Sequence, residues 1–146
     1  MMRSLRTYLL GMTLALLLGA SARADIYVVV NMSNPVQAMT QKEALDVFMG
    51  RRRAFATGNL ALPFDLPRDN TTRTAFYEAL TGMSLTQVNS YWARLMFTGQ
   101  TLPPQSLASE MAMEEIVKQD LSAIGYLSRP PADPSLRVVL VLRDPR

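Results

Sequence analysis

Residues 26–31 read "IYVVVN", a short run that decides the class of fold. Apolar residues fill its first five positions without alternation, and four of those five are the β-branched residues isoleucine and valine. A continuous run of this kind predicts a β-strand buried on both faces. We therefore expect a sheet that is covered on both sides.

Downstream of this strand, helix patterns and strand patterns alternate. Thr40 with Glu43, and Ser84 with Gln87, have the spacing of capping boxes at helix starts. The predicted helices begin near residues 40, 69, 84 and 109, and the further predicted strands cover 60–64, 123–127 and 137–142. Such alternation predicts an α/β domain with a mixed or mainly parallel sheet flanked by helices.

Upstream of the strand, residues 1–24 have the features of a secretory signal peptide. Arg3 and Arg6 precede an apolar run over 9–20, and residues 22–24 end it in the small-residue A-x-A pattern. We expect cleavage after Ala24, which leaves residues 25–146 as one domain. The apolar run is short for a membrane span, and a retained N-terminal anchor is the less favoured alternative. The chain has no cysteine for lipid attachment, so the predicted location is the bacterial periplasm, without a lipid anchor.

Composition narrows the classes of function. The full chain has 15 basic and 12 acidic residues, but three of the arginines lie in the predicted leader, so the mature chain has 12 of each. Nucleic-acid binding therefore lacks its basic surface. Histidine and cysteine are both absent, which removes thiol nucleophiles, Ser-His triads and nearly all zinc sites. We predict a binding protein without cofactor or metal rather than an enzyme, with a carboxylate-based hydrolase as the weak exception.

The stretch "RDNTTRTAF" at residues 68–76 is the candidate binding site. It stands at a predicted helix start, where free backbone N–H groups and partial positive charge suit phosphate-like anions. Asn70, Thr71 and Thr72 add polar side chains, and Arg73 adds a guanidinium that can bind an oxyanion with two hydrogen bonds. The alternative is that Asp69 or Asn70 only caps the helix while Arg73 lies in water, and the local sequence alone favours that alternative.

Basic and acidic pairs elsewhere receive plainer interpretations. Arg51–Arg53 follow Gly50 in a predicted loop. They form either an anion-attracting rim or a solvated turn, and we favour the solvated turn for at least two of them. Glu114 and Glu115 are adjacent on a predicted helix and point in different directions, so we expect a solvated face.

Two further patterns involve aromatic residues and glycine. Tyr91 and Trp92, with Phe97, stand at helical spacing with apolar residues and are predicted to belong to the core rather than to a sugar platform. Gly125, between Ile124 and Tyr126 in a predicted strand, indicates a close approach by a ligand or backbone, or tight packing against a helix.

Several pieces of the sequence, taken in order, resemble the second lobe of periplasmic phosphate-binding proteins that serve ABC transporters. The pieces are "VVVNMSNPV", "MTQKEALDVFMGRRR", "NTTRTAF", "YWARLMFTGQTLPP" and "SAIGYL". The resemblance covers essentially the whole mature chain and implies a single periplasmic-binding-protein-like lobe. It also implies that the helix start contacts an oxyanion, with Thr72, Arg73 and Phe76 matching the family motif position by position.

The chain also departs from that pattern. Asn70 stands where the family has serine, Thr71 where it has the glycine that lets backbone approach an oxyanion, and Ser122 where it has the first glycine of the late motif. Family members close two lobes around the ligand, and here one lobe is expected. A homodimer, an ABC permease or another periplasmic or membrane protein would have to complete the cleft.

The resemblance thus implies a non-catalytic protein that binds phosphate or a similar oxyanion through Asn70, Thr71, Thr72 and Arg73 and is linked to ABC transport. The competing hypothesis is a periplasmic interaction or sensor-accessory module that keeps the fold and has lost the ligand.

Overall fold

The computed structural model describes residues 24–144. The predicted signal peptide therefore lies outside the described residues, apart from Ala24. The strands are β1 Ile26–Asn31, β2 Leu62–Asp65, β3 Gln105–Ser106, β4 Ala123–Leu127 and β5 Leu136–Leu142. The helices are α1 Gln41–Phe48, α2 Thr71–Thr81, α3 Leu85–Phe97 and α4 Glu110–Gln119.

The strands form one mixed sheet in the order β3-β2-β4-β1-β5. β2 pairs in parallel with β3 and β4, whereas β1 pairs antiparallel with β4 and β5. All strands except β1 therefore run in one direction, and the predicted mixed α/β fold is confirmed. Val28, Val29 and Val30 have no exposed surface, which confirms the prediction that β1 is buried on both faces.

Capping fixes where the helices begin. Thr40 and Glu43 form the predicted capping box of α1, and Ser84 and Gln87 form that of α3. At the end of α2, Gly82 adopts φ 70°, a left-handed conformation that glycine accepts without strain. The two capping boxes predicted from the local sequence are confirmed.

An aromatic cluster joins α1 and α2 to the sheet. The ring of Phe76 stacks on the ring of Tyr126 from β4 with centroids 3.8 Å apart, and Phe48 packs edge-on against Phe76 at 4.7 Å. Because all three side chains are fully buried, they hold the start of α2 in a fixed position against β4. The candidate binding residues lie at that helix start.

The strand boundaries differ from prediction on one side of the sheet. β2 begins at Leu62, whereas the predicted strand begins at 60, because Leu60 forms an isolated bridge with Ala54 instead. β3 lies outside all the predicted strands, and its two residues pair with Phe64 and Asp65 of β2. Long-range pairing rather than local pattern creates this strand.

The aromatic prediction is right for Trp92 and wrong for Phe97. Trp92 is buried, but Phe97, the last residue of α3, is 93% exposed. The helical spacing places it near the core stripe, but α3 ends there and no other element covers the ring. Tyr91 is half-buried, and its hydroxyl donates to the Met49 carbonyl at 2.7 Å.

Gly125 packs against a helix. A Cβ atom at this position would overlap the side chain of Met113 from α4. Of the interpretations that the sequence left open, tight packing between β4 and α4 therefore accounts for the glycine. Along residues 24–144, none of the helices combines the length and apolarity that a bilayer crossing requires.

Candidate functional site

The N-terminus of α2 is capped by Asn70. Its side-chain Oδ1 accepts hydrogen bonds from the backbone N–H groups of Thr72, at 2.9 Å, and Arg73, at 3.2 Å. Asn70 has an extended backbone, as expected for an N-cap residue. Two of the N–H groups that the sequence offered to an oxyanion are therefore satisfied within the protein.

Thr72 turns its hydroxyl toward a carboxylate from another helix. Its Oγ1 donates to Glu110 Oε2 at 3.3 Å. Glu110 Oε2 also accepts a hydrogen bond from Ser128 Oγ at 2.9 Å. The other Glu110 oxygen accepts from the backbone N–H of Ser128. The Glu110 carboxylate thus occupies donors at the start of α2 and after β4. Thr71, by contrast, is exposed at the first position of the helix.

Arg73 is buried and paired with Asp65 at the end of β2. Arg73 Nε lies 3.0 Å from Asp65 Oδ2, and the two side chains are 9% and 7% exposed. The guanidinium carbon also lies 5.0 Å from the centre of the Tyr77 ring, within the range of a cation–π contact. The alternative that Arg73 points into water is therefore wrong.

Two tyrosines complete the surroundings of Asp65. Tyr77 donates its hydroxyl to Oδ2 at 3.0 Å, while Tyr126 donates to Oδ1, which also accepts from the backbone N–H of Leu66 at 2.8 Å. Burial, and then the charge of Asp65, raises the pKa of Tyr77 and of Tyr126 well above the ordinary value. Both hydroxyls therefore stay protonated and hold the carboxylate that orients Arg73.

Arg73 keeps one buried donor without an acceptor. Its Nη1 atom is buried and has no hydrogen-bond partner among the described residues, and the same is true of the indole Nε1 of Trp92. Buried donors without partners are rare and each needs a physical explanation. Both residues line one cavity of about 330 Å³.

This cavity, which we call the Arg73 cleft, lies between the start of α2, α3 and the segment leading into β3. Its polar and charged lining consists of Asp65, Arg68, Arg73, Asn89 and Ser106, beside Trp92 and the apolar residues. Two arginines stand against one carboxylate, so the lining carries a net positive charge. Such an environment suits a small anion with several acceptor oxygens.

The four predicted site residues therefore have different surroundings. Arg73 lines the cleft, whereas Asn70, Thr71 and Thr72 do not belong to its lining. Sequence reasoning missed Asp65, Glu110, Tyr77 and Tyr126. The one local signal was a carboxylate at the end of a predicted strand, followed eight residues later by an arginine; Glu110 and Tyr126 approach only through the tertiary fold.

The remaining candidates lie outside the cleft. Arg51 forms a long ion pair with Asp46 at 3.9 Å, and Arg52 and Arg53 line a second cavity. Glu115 approaches Lys118 at 3.8 Å on the surface of α4, in keeping with a solvated face. Over residues 24–144, acidic side chains do not cluster in a way that could hold a metal ion.

Comparison with solved structures identifies the fold. A phosphate ABC transporter substrate-binding protein from Clostridium perfringens, solved with bound phosphate, superposes with a TM-score of 0.62 at 20% identity. It matches 80% of this chain and 45% of its own. An ABC-type phosphate transport receptor from Vibrio cholerae superposes with a TM-score of 0.61 at 18% identity. The match covers 80% of this chain and 46% of the receptor. PstS from Borrelia burgdorferi superposes with a TM-score of 0.54 at 8% identity, and the match covers 72% of this chain and 41% of PstS.

The chain thus shares its fold with about half of each of these proteins. This confirms the predicted resemblance to phosphate-binding proteins of ABC transporters and the predicted single-lobe α/β fold. A scan of protein-family models and a search of curated proteins found no match to the sequence.

Proposed function

We propose that the protein is a periplasmic, non-catalytic solute-binding protein whose single lobe binds phosphate or a similar oxyanion in the Arg73 cleft. The observation that carries the proposal is the buried Arg73 Nη1 atom, which has no acceptor among the described residues. The neighbours in fold, one of them solved with bound phosphate, support the same class of ligand.

Arg73 is the anchor of the proposed site. Its Nε atom is committed to Asp65, so the guanidinium is held in one orientation before any ligand arrives. A pre-oriented, partly desolvated guanidinium binds an oxyanion more strongly than a free one, because little side-chain entropy is lost. The chemistry required is binding alone, without a covalent step.

The donors at the start of α2 lie outside the lining of the cleft, and they join the proposed site when the bound oxyanion extends from the cleft toward Asn70. Thr71 is exposed there. The N–H groups of Thr72 and Arg73 become available when the Asn70 side chain rotates away and an oxyanion oxygen takes the place of its Oδ1. A charged oxyanion oxygen would thus replace the neutral Oδ1 atom of Asn70 as the acceptor of these two hydrogen bonds.

Calorimetric titration with phosphate and with sulfate tests the proposal. Arg73→Ala would leave the Asp65 carboxylate buried without its cation, so the informative variant is Asp65→Asn/Arg73→Met, which removes both charges together. Loss of a charge-assisted hydrogen bond costs about 1.5–3 kcal/mol, so we expect at least about tenfold weaker phosphate binding. The matched control Lys42→Gln/Asp46→Asn removes an ion pair of α1 that lies outside the cleft and should leave the affinity unchanged.

Absence of heat with any oxyanion at millimolar concentration in the unaltered protein would refute oxyanion binding. Equal affinities for the unaltered protein and the Asp65→Asn/Arg73→Met variant would move the site away from Arg73.

A second candidate function is a periplasmic interaction or sensor-accessory module that keeps the fold without the ligand. The observation that favours it is the occupation of the helix-start donors within the protein, by Asn70 and by the Glu110 carboxylate. The same titration separates the two candidates, because this one predicts no oxyanion binding at all. The first candidate function includes linkage to an ABC permease. The second includes docking on another periplasmic or membrane protein.

A further inference from the structure

A second cavity, of about 300 Å³, adjoins the Arg73 cleft at Trp92. Trp92, Pro103 and Pro104 line both cavities. We call this second cavity the Arg52–Arg53 groove; besides those two arginines, its lining includes Leu60, Leu62 and Leu102.

Gly50 forms part of the wall of this groove. It adopts φ 73°, and a Cβ atom there would stand 3.0 Å from the Trp92 ring and 3.2 Å from Thr101. Glycine thus allows the turn after α1 to close against α3 and the segment before β3. The wall of the groove is therefore a packed junction of three segments rather than a loose loop.

Large apolar side chains are exposed in and beside the groove. Leu60, Leu62 and Leu102 are 51%, 39% and 76% exposed, and the adjoining end of α3 exposes Met96 and Phe97. Clustered apolar exposure of this kind marks an interaction surface, whereas single exposed residues need no explanation. The arrangement indicates that another molecule covers this face.

The charges specify what kind of molecule fits. Arg52 and Arg53 are exposed, and along residues 24–144 neither forms an ion pair, whereas Arg51 approaches Asp46. The groove lining contains no carboxylate. A second copy of this chain, groove against groove, would oppose arginine to arginine across a two-fold axis. An occupant with carboxylates beside large apolar side chains satisfies both the charge and the apolar surface.

We propose that the Arg52–Arg53 groove binds an acidic, apolar segment of another protein. The carboxylates of that segment pair with Arg52 and Arg53, and its apolar side chains cover Leu60, Leu62 and Leu102. The proposal is independent of oxyanion binding, since neither Arg52 nor Arg53 lines the Arg73 cleft.

Trp92 is the only tryptophan of the chain and lines both the groove and the Arg73 cleft, so its fluorescence reports occupation of either cavity, and the arginine variants below assign the signal to the groove. The probes are three short synthetic peptides of equal length: alternating leucine and glutamate, alternating leucine and lysine, and alternating serine and glutamate. We expect a saturable change in Trp92 emission with the leucine–glutamate peptide alone.

Charge reversal supplies the decisive comparison. In Arg52→Glu/Arg53→Glu, binding of the leucine–glutamate peptide should weaken at least tenfold, and the leucine–lysine peptide should now bind. The control Arg129→Glu/Arg143→Glu makes the same charge change at exposed positions outside the groove and should behave like the unaltered protein. Leu60→Ser/Leu102→Ser should weaken binding without reversing the charge preference.

Three outcomes would overturn the proposal. The first is failure of the leucine–glutamate peptide to bind the unaltered protein at millimolar concentration. The second is equal binding of that peptide to the Arg52→Glu/Arg53→Glu variant and to the control variant. The third is a dimer, detected by sedimentation, that Leu60→Ser/Leu102→Ser converts to a monomer, because a second copy of the chain would then cover the groove. Phosphate titration of the Arg52→Glu/Arg53→Glu variant should give the unaltered affinity, so the two proposals fail separately.

Discussion

Asp65 organises its surroundings because the hydrogen bonds that its side chain accepts come from three parts of the chain. Arg73 and Tyr77 approach from α2, Tyr126 from β4, and the Leu66 N–H from its own strand end. A buried carboxylate is costly unless its acceptor sites are filled. Here the donors fill them, so the start of α2 is fixed to the sheet through one side chain.

Breaking this pair on one side should destabilise the fold severely. Arg73→Met leaves Asp65 buried without its cation, and we expect a loss of about 3–5 kcal/mol in the free energy of unfolding. In Asp65→Asn/Arg73→Met both charges are gone, so most of that loss should be recovered. Urea unfolding followed by far-UV circular dichroism measures both variants. A double variant as unstable as Arg73→Met would show that the charge imbalance is not the cause.

Sequence reasoning reached part of the site at this scale. The cap at Asn70 was foreseeable, because the residues that it contacts are two and three positions away. The Glu110 contact with Thr72 spans 38 positions, and no local pattern reports such a distance. The prediction therefore identified the helix start correctly and did not identify the carboxylates that occupy its donors.

Among the elements, β1 and β3 show why some could be predicted and others could not. β1 carries its own signal, since its continuous apolar run is the property that a doubly buried strand requires. β3 consists of Gln105 and Ser106 alone and is exposed, so its sequence contains no strand pattern. It exists because β2 offers it a parallel partner, which is a property of the sheet.

The packing of β4 on α4 gives a prediction at the scale of elements. Gly125→Ala should destabilise the protein by about 1–3 kcal/mol, because the added methyl group overlaps Met113. In Gly125→Ala/Met113→Ala the smaller side chain makes room for the methyl group. We therefore expect the double variant to lose less stability than the sum of the two single variants. Thermal or urea unfolding of the four proteins completes the cycle, and strict additivity would contradict the overlap.

For the whole molecule, the decisive fact is its size relative to its neighbours in fold. The chain matches 45% of the Clostridium perfringens protein and 46% of the Vibrio cholerae protein. The ordered motifs indicated a single lobe because each of them belongs to one half of the family pattern. What covers the surfaces of this lobe could not be predicted, because it depends on residues that lie far apart in the sequence.

A ligand held by one lobe alone stays partly in water, and our proposal for the Arg73 cleft therefore predicts phosphate-linked association. If a second copy completes the cleft, phosphate binds the dimer more tightly than the monomer and shifts the equilibrium toward the dimer. Sedimentation velocity in phosphate and in chloride at equal ionic strength should then show more dimer in phosphate. Asp65→Asn/Arg73→Met should show no difference between the two salts. A monomer under conditions where calorimetry shows the site saturated would exclude the second copy.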